Sequence, residues 1–286
     1  MKNYDYENCP QGFSQKGNRF NVNYLILKKI IDRQLTTRKK IKILEIGSGG
    51  GRNLQFLKYI YQSKVELFGT DISKTAISYA TSLKIGQFKV AESDQIPFKQ
   101  KYDLILIIDL LEHLDSQKKA LITITKAINS IRKGGQIYIS VPIELNRFCL
   151  TWYFAKLPHF RDLTKHSFGH TIQFQISDFS PAIKNKKIKV NQTFFSVHFL
   201  TQLQVFLFLH VPKIMIRLIF NKKTANNLRD SNEIIRGEGF SLLGVFKQIF
   251  LALRLPLLFL GYCESLIRLR SSLGAGNIHL TVTKKV

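Results

Sequence analysis

Between residues 41 and 142 five short apolar runs alternate with segments of helical periodicity, and no other feature limits the possible folds so tightly. The runs are IKILEIG (41–47), VELFGTD (65–71), FKVAESD (88–94), YDLILIID (102–109) and QIYISVP (136–142). Runs that are apolar on both faces read as strands covered from both sides. The stretches 53–61, 73–83 and 116–131 read as helices, with Ser73 and Ser116 as N-caps. Strands alternating with helices at these intervals build parallel βαβ units, and right-handed crossovers make the sheet doubly wound. The predicted fold is therefore α/β: a Rossmann-like, doubly wound, mostly parallel seven-stranded sheet with a helical, apolar and basic C-terminal elaboration.

The flanks complete the predicted organisation. Residues 21–35 place Val22, Leu25, Ile26, Ile30 and Leu35 on one helical face, which makes 1–40 an N-terminal helical cap. The Rossmann-like domain spans 41–197; its 143–187 part is irregular and rich in aromatics and histidines, and 188–197 alternates like a strand. Residues 198–275 form an apolar, basic helical insertion, and 276–286 return as a final edge strand.

Composition excludes several classes. With 45% hydrophobic residues, the 286-residue chain can bury a core and is not disordered as a whole. Three cysteines, Cys9, Cys149 and Cys263, lack CxxC spacing, so neither a disulfide framework nor a zinc cluster is expected. The polar N-terminus carries Asp5 and Glu7 and does not read as a signal peptide, which favours a cytoplasmic setting. The formal net charge of +24 suits an anionic partner, or else leaves a solvated lysine-rich surface.

In an open parallel sheet, ligands bind beyond the carboxyl ends of the strands. Those ends carry Glu45 with Gly47–Gly51 after it, Asp71, Glu92 or Asp94, and Asp109. A dinucleotide loop needs GxGxxG to hold a pyrophosphate, but here the glycines fall at 47, 49, 50 and 51, and Arg52 takes the place of the third motif glycine. Carboxylates at successive strand ends suit a ligand with hydroxyls and a positive charge better than a polyphosphate.

These segments resemble the motifs of class I S-adenosylmethionine-dependent methyltransferases. LEIGSGGG (44–51) is similar to their first motif and GTDIS (69–73) to the second. AESDQIPF (91–98) resembles the motif before strand 4, with Glu92 where Asp is usual; IIDLLEHL (107–114) and RKGGQIYISVP (132–142) resemble the last two. The resemblance covers roughly 40–142 in order. It implies S-adenosylmethionine as cofactor. Glu45, Gly47, Ser48, Gly49 and Gly51 would then hold the methionine part, Asp71 and Ile72 the ribose, Glu92 and Ser93 the adenine side, and Asp109 would lie nearest the methyl. Gly134 and Gly135 read as structural, permitting the turn into the fifth strand.

The acceptor is less constrained. No NPPY or DPPY follows the fourth strand, which disfavours base N-methylation of the adenine type, and no cysteine stands where cysteine-nucleophile RNA methyltransferases need one. Asp109, Glu112 and His113 resemble the trio of ubiquinone-biosynthesis O-methyltransferases, where it is linked to a divalent metal. The same letters occur in related enzymes without metal, so no metal is assigned. The expected catalytic residues are His170, in GHTIQFQISDF (169–179), with His113 and Asp109; His166 is a weaker candidate. Apolar stretches at 198–220 and 242–262 are interrupted by Lys213, Arg217, Lys247, Arg254 and Pro256. Spanning a membrane is not expected of them. They suit either the surface of an anionic bilayer, at the inner membrane face, or a cap over a greasy substrate. Both point to O- or C-methylation of a small hydrophobic or lipid-linked acceptor; RNA methylation and a non-catalytic membrane module are the alternatives.

Overall fold

The computed structural model describes residues 21–143, 145–154, 170–179, 188–210 and 242–284. Seven strands form one sheet: β1 (Ile41–Ile46), β2 (Val65–Asp71), β3 (Gln87–Val90), β4 (Tyr102–Ile108), β5 (Ile131–Pro142), β6 (Ile188–Ser196) and β7 (Asn277–Lys284). Their order is β3-β2-β1-β4-β5-β7-β6. The first five run parallel, and β7 pairs antiparallel with both β5 and β6. The helices are α1 (Val22–Leu35), α2 (Arg52–Tyr61), α3 (Lys74–Ser82), α4 (Gln117–Ser130), α5 (Leu150–Phe154), α6 (Phe199–Val205) and α7 (Leu242–Ile267).

The period-two backbone splits each apolar run between two cores. Ile41 and Ile43 of β1, with Leu104, Leu106 and Ile108 of β4, pack under α1 and α2. Leu44, Ile46, Ile105 and Ile107 face the other way, toward Ala120, Ile124, Ala127 and Ile128 of α4. Helices thus cover both faces. The chain leaves β1 toward β2 and β3, then returns to β4 on the other side of β1, which puts a switch point between β1 and β4. Ser73 and Ser116 cap α3 and α4 as expected, accepting from Ala76 N at 3.0 Å and Lys119 N at 3.2 Å.

Two expectations need correcting. The segment 276–286 is not an edge strand: β7 lies inside the sheet, and β6 is the margin. Its alternation misleads because both faces are buried, with Ile278, Leu280 and Val282 on one and His279 and Thr281 on the other. The third strand is shorter than 88–94. It ends at Val90, where Ala91 N donates to Asp71 O at 2.9 Å and the chain turns away.

His279 anchors a buried network. Ser196 Oγ donates to its Nε2 at 2.7 Å, its Nδ1 bonds Tyr138 Oη at 2.9 Å, and Tyr138 Oη donates to Asn23 Oδ1 at 2.7 Å. Burial lowers the imidazole pKa to about 3, so the ring is neutral and the chain of bonds needs no proton. This network ties α1 to β5, β6 and β7. Tyr138→Phe leaves a ring nitrogen and an amide oxygen unmatched; chemical denaturation is expected to show a loss of about 1–3 kcal/mol. An unchanged midpoint would contradict that role.

In the C-terminal elaboration, α7 runs through Pro256 and packs on α6. A Cβ on Gly261 would stand 2.6 Å from Thr201 Oγ1, and Leu200 N donates to Glu264 at 2.7 Å. The pair joins the sheet through Phe195 N, which donates to Leu269 O at 2.8 Å. Among the described residues no helix is long and apolar enough to cross a membrane.

Candidate active site

The glycine loop follows β1 at the switch point. Gly47 N and Ser48 N both donate to Thr70 O of β2 at 2.8 Å, and Gly51 N donates to Ser48 O at 2.9 Å. Gly47 has φ +74, and a Cβ there would come within 2.7 Å of Leu110, so the turn admits only glycine without strain. Asp71, at the end of β2, fastens the loop: Oδ2 accepts from Gly49 N at 2.7 Å and Oδ1 accepts from Ser73 N at 3.0 Å. Ile72 beside it is 49% exposed, an apolar surface at the mouth of the sheet.

Glu45 sits below the loop at 1% exposure. Asn53 Nδ2 of α2 donates to its Oε1 at 2.6 Å, while its Oε2 has no hydrogen-bond partner among the described residues. Burial pushes the carboxyl up to about 8; Asn53 and Arg52 oppose the rise, and the charges of Asp71 and Asp109 add to it. The three acids therefore share one region, as their order in the sequence leads one to expect. A buried carboxylate with an unmatched oxygen fits a cationic ligand.

Asp109 ends β4 in a left-handed conformation, φ +49, with its N donating to Ser140 O at 2.9 Å. The side chain is exposed to solvent. Desolvation raises its pKa, while the Arg52 and His170 charges and a hydrogen bond with Ser140 act against the rise. A non-glycine residue held at positive φ stores about 1 kcal/mol or more, and such strain clusters at functional sites.

Beside Asp109 stands the turn Leu111–His113. Thr171 N and Ile172 N donate to Glu112 O at 2.9 and 3.0 Å, and the Thr171 hydroxyl donates to Leu114 O. This clamp brings His170 to His113, ring centroids 5.0 Å apart and edge to face. Glu112, 1% exposed, joins them: one ligand-type atom from each of the three lies within 4.8 Å of the others. His166 lies outside the described residues. Glu92 and Ser93, beyond β3, are both tied to α4: Lys119 Nζ donates to Glu92 at 2.8 Å, and Ser93 Oγ bonds Thr123 Oγ1 at 3.0 Å.

Two residues enter the site unforeseen. Arg52, read from sequence only as a missing glycine, opens α2 as a half-buried cation whose field reaches Glu45 and Asp109. Tyr24 of α1, stacked on Phe56 at 3.9 Å, lies within reach of the same Arg52 and Glu45 charges. Only its aromaticity in an amphipathic helix marked it, which signals core as readily as site.

A doubly wound sheet with an acid-bordered glycine loop at its switch point defines a class I S-adenosylmethionine-dependent methyltransferase. The model of the methyltransferase-domain family matches residues 19–173, and the chain belongs to that family. It is 31% identical over 123 residues to the ubiquinone biosynthesis O-methyltransferase of Pelagibacter ubique (strain HTCC1062), covering 41% of this chain and 47% of that protein. The chain thus matches about half the length of that curated relative. Among solved structures it resembles a protein of Galdieria sulphuraria described as a sarcosine dimethylglycine methyltransferase (TM-score 0.51, 13% identity, 91% of this chain and 85% of that one). It also resembles the [4+2]-cyclase SpnF (TM-score 0.50, 11% identity, 91% and 80%). At these identities the structural likeness speaks for the fold alone.

Proposed function

We propose that the chain methylates a hydroxyl of a small hydrophobic acceptor, with His170 taking the acceptor's proton. The observation that carries this is the clamp through Thr171 and Ile172, which fixes His170 against His113 next to the solvent-open Asp109. Bound S-adenosylmethionine supplies an electrophilic methyl group on a sulfonium. Glu45 with Gly47, Ser48, Gly49 and Gly51 holds the cofactor's methionine part, Asp71 and Ile72 its ribose, and Glu92 and Ser93 its adenine side. Asp109 would stand nearest the reacting methyl, where a carboxylate would favour positive charge. His170 removes the hydroxyl proton as the oxygen becomes a nucleophile, and His113 orients the His170 ring. The named activity of the Pelagibacter relative supports oxygen as the atom methylated.

A hydrophobic acceptor is supported by the helices after β6. Phe199, Leu255, Leu260 and Ile267 are exposed by 51%, 53%, 49% and 86%. With the basic residues around them, α6 and α7 suit resting on an anionic membrane surface, as expected of the 198–275 stretch.

His170→Ala is expected to lower kcat about a hundredfold, with the cofactor Kd unchanged. A variant with wild-type kcat removes His170 from the chemistry. Incubation with methyl-labelled cofactor and a cell extract is expected to place label in the organic-soluble fraction. Label confined to RNA would overturn the small-molecule reading.

A further inference from the structure

A second concave site lies at the opposite end of the strands from the glycine loop. Gln136 of β5 stands level with Leu104, and Leu104 with Ile43 near the start of β1. There α1 covers the centre of the sheet but leaves the β7–β6 margin open, forming a groove of about 530 Å³. Its floor includes a polar row across three strands, Gln136–Thr283–Lys189, backed by Ile26, Ile30 and Phe194.

Four cations face this groove. Lys29 and Arg33 sit one helical turn apart on α1, Lys189 lies on β6 and Arg270 just past α7, and all four are exposed. No aspartate or glutamate is among the twelve lining residues. Some cations elsewhere sit against acids, as Lys28 does with Asp32, Arg38 and Arg132 with Asp103, Lys119 with Glu92, and Arg268 with Glu264. Among the described residues the groove's four cations form no such pair. Like charges gathered in a concavity repel one another unless an anion joins them, and a low-dielectric wall concentrates their field.

We propose that this groove binds a phosphate group, carried by an acidic phospholipid or by a soluble phosphorylated compound. Arg33 and Arg270 offer planar forks that match phosphate oxygens, Lys29 and Lys189 add point charges, and the Asn191 and Gln192 amides complete the donor set. Ile267, 86% exposed, stands three residues before Arg270, so apolar surface adjoins the groove as it would at a lipid head group. The proposal stands independently of the methyl-transfer reading, because the groove and the glycine loop occupy opposite ends of the sheet.

The test uses the full chain and an Arg33→Gln/Lys189→Gln double variant. One arm titrates inorganic pyrophosphate by calorimetry. The other floats the protein on phosphatidylcholine vesicles with or without phosphatidylglycerol. Each cation near an anionic surface is worth about a factor of five, so the double variant is expected to bind about thirtyfold more weakly. S-adenosylmethionine binding should not change. A Lys118→Gln/Lys126→Gln control on α4 removes the same charge elsewhere and should bind as the unaltered chain does. Vesicle binding without pyrophosphate binding assigns the phosphate to lipid, and the reverse assigns it to a soluble compound. Binding of neither probe, or equal losses in both double variants, overturns the groove.

Discussion

Asp71→Ala is expected to weaken S-adenosylmethionine binding by about a thousandfold or more, read by calorimetry at neutral pH. Hydrogen bonds to a charged partner are worth about 1.5–3 kcal/mol each, and the proposed ribose contact involves two hydroxyls. The structure adds a second route to the same loss. The carboxylate that would meet the ribose also accepts from Gly49 N at 2.7 Å and Ser73 N at 3.0 Å. Alanine therefore frees the glycine loop as well as removing the ligand's acceptor. Asp71→Asn, which keeps the volume but loses the charge and one acceptor oxygen, is expected to fall between alanine and the unaltered chain. An alanine variant that binds within about tenfold of the unaltered chain would dissociate Asp71 from the cofactor, since one charged hydrogen bond alone exceeds that factor.

The same residue shows what was legible in the sequence. Parallel strands buried on both faces leave an unambiguous trace, because both parities must be apolar, and the runs containing Ile43, Leu44, Ile105 and Leu106 fall in two cores on opposite faces. An acid at or near the end of each of the first four runs marks the mouth of the sheet. The second duty of Asp71, holding Gly49, leaves no trace, because a hydrogen bond across 22 positions follows from strand order rather than local pattern. The place of β7 was hidden for a related reason. His279 and Thr281 look solvent-facing by residue type, yet their partners, Tyr138 and Ser196 for His279, lie far away along the chain. Arg52 was passed over because motif reading asks what a position lacks, and the charge it brings to Glu45 and Asp109 emerges only when β1, α2 and β4 come together. Pro256 interrupts the apolar run without ending the helix: α7 continues through it, with Gly261 and Glu264 against α6.

Glu45→Gln is expected to raise the stability of the cofactor-free protein above pH 8 and to weaken the cofactor about a hundredfold. Lifting the carboxyl from 4.5 to about 8 corresponds to a penalty of roughly 5 kcal/mol on its charged form. The folded state binds the proton more tightly than the unfolded chain. Stability from this group is therefore highest below about pH 4.5, declines as pH rises, and is lowest above about 8. Glutamine keeps the Asn53 bond and cannot ionise, so the thermal midpoint of the variant should lack that decline and exceed the unaltered chain's at pH 9. Cofactor binding reverses the preference. A cation meeting Oε2 draws the carboxyl into its charged form, so binding at pH 7 is expected to release close to one proton, and affinity should climb toward pH 8. Calorimetry in buffers of different ionisation enthalpy reads this directly, and the glutamine variant should release none. Binding enthalpies that do not depend on the buffer for the unaltered chain would mean that Glu45 is already charged, or that the ligand's cation lies elsewhere. The pairing of a buried carboxylate with a cationic nucleoside would then have to be abandoned.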